Sequence, residues 1–122
     1  MIARHWRGWT EIQNADAYEA LLKDKVLPGL KTVEGYQGGY VLRHDGPHEV
    51  AFVVVNMFES LDAVKRFAGE DYNVSVFEPE AKVLLSRVEP TVMHYEVRVN
   101  TAWVGDGWAT AMPSPGEQAH GR

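Results

Sequence analysis

The chain has 122 residues, 45% hydrophobic and 24% charged, a size and balance that suit one soluble domain with one modest core. A net charge of −5 and the lack of any basic run argue against nucleic acid as a partner, because phosphate contacts need clustered Lys and Arg. With no cysteine, disulfides, thiolate catalysis and Cys-ligated metals are excluded.

The N-terminus, Met1 to Arg7, lacks the apolar stretch of a signal peptide, and no window is apolar enough to span a bilayer. A cytoplasmic protein without membrane contact is expected. Residues 2–9 read as a strand carrying Arg4, His5, Trp6, Arg7 and Trp9. Side chains alternate along a strand, so Arg4 and Trp6 share one face and His5, Arg7 and Trp9 the other. Which face lines a cavity, and which serves packing or an interface, the pattern leaves open.

Asn14 or Asp16 can cap the next helix, Asp16 with Glu19 having the form of a capping box, and Tyr18, Leu21, Leu22 and Val26 recur at helical spacing. Leu27-Pro28-Gly29 is expected to bend or interrupt this helix, since proline lacks an amide donor. A short continuation runs through Leu30 and Val33 and ends at Glu34-Gly35. Residues 36–43 form a second strand, with Gly38-Gly39 suggesting a bulge, and residues 49–58 a third. The short turn between them predicts an antiparallel hairpin.

Ser60 suits an N-cap, Leu61, Val64, Phe67 and Ala68 a buried helix face, and Gly69 a C-terminal cap. Residues 70–78 are irregular, and Pro79 opens a short helix through Leu85. The last strand, 92–99, sets Met93, Tyr95, Val97 and Val99 against His94, Glu96 and Arg98. After Asn100 the composition turns to Gly, Pro, Ala and Ser. This divides the chain into a domain of residues 1–100 and a tail, 101–122, that is either partly disordered or, as Trp103 and Trp108 suggest, partly docked on a partner subunit.

The βαββαβ order predicts an α+β, ferredoxin-like sandwich, a four-stranded antiparallel sheet with two helices on one face. The third strand is apolar on both parities, with Phe52, Val54 and Phe58 on one side and Ala51, Val53, Val55 and Met57 on the other. Both faces therefore need cover, and a homodimer is expected to supply the second.

Several residues carry possible chemistry. His94 shares a face with Glu96, and a nearby carboxylate raises imidazole basicity, as a general base requires; the other reading is a half-exposed histidine on an edge strand. Asn56 interrupts an apolar run and must be hydrogen-bonded, either to a ligand or to a neighbouring loop. Tyr40, Phe67, Tyr72 and Phe77 form either an aromatic wall or core filler. His44, Asp45 and His48 fall within one turn, but Gly46-Pro47 denies them helical spacing and no fourth ligand is evident, so no metal is expected. No nucleophile elbow, phosphate loop or dinucleotide fingerprint occurs, which leaves nucleotide and flavin cofactors unsupported.

Trp6-Arg7-Gly8-Trp9, Gly35-Tyr36-x-Gly38, Phe58-x-Ser60-Leu61-Asp62-Ala63 leading to Phe67-Ala68-Gly69-Glu70-Asp71, and His94-Tyr95-Glu96-Val97 resemble the antibiotic biosynthesis monooxygenase family. The resemblance covers about residues 1 to 99. It implies a dimeric α/β barrel in which each subunit encloses a cavity for a small aromatic or apolar ligand. The family's activities include oxidation of aromatic polyketides without metal or flavin, haem degradation and quinol oxygenation. The haem-degrading pattern is broken here: Phe67 stands at the helix tryptophan, Phe77 near the ligating histidine, and His5 or Trp6 at the first-strand asparagine. The cofactor-free branch matches by residue type, with Asn56, Trp6, Arg4 and His94 as the catalytic set. On that pattern a phenol or hydroquinone sits against Trp6, Tyr40 and Phe67, with His5 and Tyr72 as further binding residues. His94, or His5, takes a proton, and Arg4 and Asn56 stabilise the anion that meets dioxygen. The competing expectations are a non-catalytic barrel that binds an apolar ligand, and an oxygen-independent isomerase or cyclase.

Overall fold

The alternating first strand becomes β1 (Ile2–Thr10), the centre of an antiparallel sheet ordered β2–β3–β1–β4, with β5 also paired to β1. The computed structural model describes residues 1–101, so Trp103 and Trp108 lie outside the described residues. β2 (Tyr36–Asp45) and β3 (Val50–Phe58) form the expected hairpin, with the bulge between Tyr36 and Gly38. The sheet has five strands rather than four. β4 (Leu85–Val88) pairs with the Gly8–Thr10 end of β1, and β5 (Met93–Glu96) with its Ile2–His5 end. Two short strands thus fill one sheet position. Pro90, which has no amide to donate to a ladder, sits between them.

The first helical stretch, expected to bend or be interrupted at Leu27-Pro28-Gly29, is not interrupted there but departs from regular α geometry just before it. α1 (Ala15–Leu21) passes into a wide π turn (Leu22–Val26) and then α2 (Leu27–Leu30). The Leu27 amide donates five residues back to Leu22, and this widening gives the Pro28 ring room beside the preceding turn. The capping box does not form either. Arg43 on β2 takes Asp16 and Glu19 at 2.8 Å each and Asp45 at 2.7 Å, so the two helix carboxylates fasten helix to sheet.

Ser60 does cap α3 (Leu61–Ala68), its Oγ accepting from the Ala63 amide at 3.2 Å. Ala63 and Val64 are the fully buried residues of this helix, whereas Leu61 is partly exposed. α4 (Pro79–Leu84) buries Ala81 and ends one residue earlier than expected, because Leu85 already belongs to β4.

Two apolar clusters lie on the helix side of the sheet. One gathers Trp6, Tyr18, Leu22, Phe52 and Val54; the other gathers Leu30, Phe58, Ala63 and Val64. On the opposite side Tyr40, Leu42, Met93 and Tyr95 are each more than half exposed. At one end of that side Trp9 is buried between Arg87, at 3.6 Å from its ring centroid, and Arg7, at 4.9 Å.

Candidate active-site cleft

Strand register brings four positions onto one rung of the sheet. Gly39 on β2 faces Asn56 on β3, Asn56 faces Arg4 on β1, and Arg4 faces His94 on β5. Residues directly opposite in antiparallel strands have neighbouring side chains, so this rung sets an amide, a guanidinium and an imidazole in a row. It runs between the two apolar clusters: along β1, Arg4 separates Ile2 from Trp6, and along β3, Asn56 separates Phe58 from Val54.

Arg4 is 3% exposed. Its guanidinium donates to the carbonyls of Tyr72 and of Val74, the latter at 3.0 Å, and to His94 Nε2 at 2.9 Å; it also lies over the Phe67 ring. No carboxylate among the described residues pairs with it. Burial lowers its pKa to about 10, which still leaves the group charged at neutral pH. A buried cation without a counter-ion is costly unless something negative completes it.

His94 takes its role from this contact. Arginine offers only donors, so Nε2 must accept and the ring proton belongs on Nδ1, which is buried without a hydrogen-bond partner among the described residues. Burial and the charge of Arg4 both lower its pKa, so the ring is neutral. Glu96, expected to orient this imidazole, instead reaches Arg98 at 3.4 Å. While the Arg4 bond holds, the Nε2 lone pair is occupied.

Asn56 is 7% exposed, and its Oδ1 accepts from the Tyr36 hydroxyl at 2.8 Å. That bond needs Gly39: a Cβ there would come within 2.2 Å of Asn56 Oδ1 and 2.6 Å of the Val55 carbonyl. With the oxygen committed to Tyr36, the amide NH2 is left as a donor without a described partner. Trp6 lies flat over Gly8, where a Cβ would meet its ring at 2.5 Å, and its Nε1 is buried without a partner. This part of the sheet thus holds buried donors on Trp6 and His94 that no described residue satisfies, beside the Arg4 guanidinium and the Asn56 amide.

These groups border a cleft between sheet and helices. Arg4, Trp6 and Asn56 line it from the sheet, Tyr18, Leu22 and Val26 from the first helical stretch, and Phe67 from α3. Val76, Phe77 and Glu78 close it from the loop before α4. It encloses about 500 Å³ with its mouth counted in, of which the centre of a water molecule can occupy about 50 Å³. The loop's anchors are the two Arg4 bonds, a bridge between Val74 and Thr91, and the Ser75 amide on the Pro90 carbonyl at 2.9 Å.

Of the residues singled out from the sequence, Arg4, Trp6, Asn56, Phe67 and Phe77 meet at the cleft. His94 stands behind Arg4, and Tyr72 packs edge-on against His94 at 5.3 Å without lining the cleft. His5 and Tyr40 lie elsewhere. They occupy the next rung, paired through Val55, and point to the opposite face, where Tyr40 is 60% exposed and His5 meets the edge of Tyr95. A ligand against Trp6 and Phe67 therefore cannot also touch Tyr40. In the hairpin turn Asp45 is held by Arg43, and no group of three metal-ligating side chains occurs among the described residues. Tyr18, Leu22 and Val26 were visible as a helical stripe, but nothing in the pattern marked Glu78.

No family model matches the chain, and no curated protein matches it. Solved structures do. A protein of Deinococcus radiodurans described as a candidate antibiotic biosynthesis monooxygenase aligns with a TM-score of 0.61 at 14% identity, over 86% of this chain and all of the other. One of Bacillus cereus with the same description aligns with a TM-score of 0.53 at 16% identity, over 87% of this chain and all of the other. The chain shares the fold of these proteins.

Proposed function

We propose that the protein is a cofactor-independent monooxygenase acting on a small aromatic, a phenol or hydroquinone, with dioxygen. The observation that carries this reading is Arg4: a buried cation with no carboxylate partner among the described residues, beside the spare amide of Asn56, in a cleft walled by Trp6 and Phe67. Such a site favours a flat apolar molecule on which negative charge develops. Arg4 and Asn56 stabilise that charge as preorganised donors, and the apolar wall keeps water from the reactive anion. His94 keeps the guanidinium aimed. The balance is SH2 + O2 → SO + H2O: the electron-rich ring anion reduces dioxygen, one oxygen atom stays on the ring and the other leaves as water.

The exposed apolar side of the sheet is read as the seat of a second copy, since Tyr40, Leu42, Met93 and Tyr95 form a surface that a symmetric partner would cover. No helix among the described residues is long and apolar enough to cross a membrane. The test of the function is oxygen uptake by protein stripped of metal and flavin, with 2-naphthol or methylhydroquinone as substrate. Uptake above the protein-free rate supports it; strict dependence on an added cofactor refutes it. Ligand binding without uptake would support the non-catalytic alternative.

A further inference from the structure

The titratable groups that line the cleft are Arg4, Tyr18 and Glu78. Only one of them can receive a proton in its ordinary charge state. Arg4 has no acceptor atom, and burial pushes the Tyr18 hydroxyl up, so that it stays protonated. Glu78 lies on the loop wall, between Phe77 and the first turn of α4. Although it occupies the N-cap position, its side chain makes no capping bond. Its carboxylate has no hydrogen bond or close ion pair with a described residue; nearby Lys25, which feels the Glu78 charge, is bonded to Glu80 at 2.7 Å. Glu78 is thus a half-buried carboxylate on the cleft wall that is held by no capping bond and no close ion pair among the described residues.

We propose that Glu78 is the proton acceptor of the cleft, working with the Arg4–Asn56 donors on a neutral aromatic acid. This rests on the reading of the cleft as a ligand site, and it fixes the ligand's charge. Arg4 and Glu78 together bring one positive and one negative charge, so a pre-ionised carboxylate is repelled by Glu78 while a neutral phenol or benzylic carbon acid is not. In the step itself the O–H or C–H bond of the ligand breaks and its proton passes to a Glu78 oxygen. The electron pair remains on the ring system, so the negative charge moves from the loop wall to the sheet side, beside Arg4. His94, with Nε2 committed to Arg4, serves to position that cation.

The test separates this step from oxygen chemistry. 2-Tetralone, a neutral two-ring ketone with acidic benzylic hydrogens, is incubated anaerobically with the full-length protein in deuterated buffer, and exchange is followed by NMR. The wild type is expected to exchange these hydrogens faster than buffer, Glu78→Gln to be about a hundredfold slower, and Glu78→Asp to recover part of the rate. Binding of 2-methoxynaphthalene, read by tryptophan quenching, is expected to be unchanged in Glu78→Gln, which shows that the cleft is intact. A Glu78→Gln rate within about threefold of wild type, or no wild-type exchange above buffer, overturns the proposal. Exchange that depends on Glu78 without oxygen uptake in a parallel aerobic assay leaves the base assigned and sinks the monooxygenase reading instead.

Discussion

Two adjacent rungs of the same sheet differ by one residue in each strand and by almost everything in chemistry. One carries Asn56, Arg4 and His94 towards the helices; the next carries Tyr40, Val55, His5 and Met93 towards the uncovered side. A lone soluble domain would place them the other way round, polar groups out and apolar groups in. On the proposed reading, the inversion means that each face awaits a partner, one a ligand and the other a second copy. The covered face lacks a negative or hydrogen-bonding guest for Arg4 and Asn56, and the uncovered face lacks an apolar host.

Breaking the inner rung should cost most. Arg4→Met keeps bulk and removes the charge, and turnover in the oxygen assay is expected to fall about a hundred- to a thousandfold, the usual loss for a preorganised donor. If Arg4 only pins the loop, turnover and melting temperature will fall together in modest proportion, and the comparison fails.

The outer rung is probed by Val55→Asp, which puts a charge in the middle of the exposed apolar side. Sedimentation is expected to show a dimer for the wild type and a folded monomer for the variant, with about 2 kcal/mol or more of association lost. A wild-type protein that is already monomeric at micromolar concentration would remove the second half of the contrast.

Gly39→Ala sharpens the comparison, because Gly39 belongs to the inner rung. Its new Cβ would collide with Asn56 Oδ1 and the Val55 carbonyl, so the Tyr36–Asn56 bond must yield. A loss of about 1–3 kcal/mol in stability is expected from denaturant melts, with weakened ligand binding.

The smallest effect is a slope with pH. Burial and the charge of Arg4 hold His94 below its ordinary value of 6.5. On acidification the unfolded chain therefore takes up that proton first, so stability falls from pH 6.5 down to the lowered native value and is regained above 6.5. Thermal melts across this window should show the wild type losing stability faster than His94→Gln. Parallel curves would mean that the imidazole does not sit against a charge.

Much of the fold was legible because it rests on local pattern. The alternation of β1 and β5, the hairpin between β2 and β3, and the Ser60 cap all depend on residues close in sequence. What failed had non-local causes. The capping box was lost because Arg43, far along the chain, offers Asp16 and Glu19 a stronger partner than the helix amides do. His5 was already legible on the face opposite Trp6 from the alternation of β1, but for Tyr40, grouped with Trp6 by residue type, it takes the pairing of both residues with Val55 to show that it faces away too. Glu78 sits in an irregular loop with no period to read, and its place is set by bonds between that loop and Arg4, Pro90 and Thr91.

The most direct measurement is a crystal structure of the protein soaked with 2-naphthol. The account predicts the naphthol oxygen within hydrogen-bonding distance of Arg4 and the Asn56 amide, with its ring against Trp6 and Phe67 and the loop at Val76 to Glu78 displaced to admit it. Naphthol seated on the Tyr40 side of the sheet, with the cleft unchanged and Arg4 bound only to its carbonyls and His94, would contradict it.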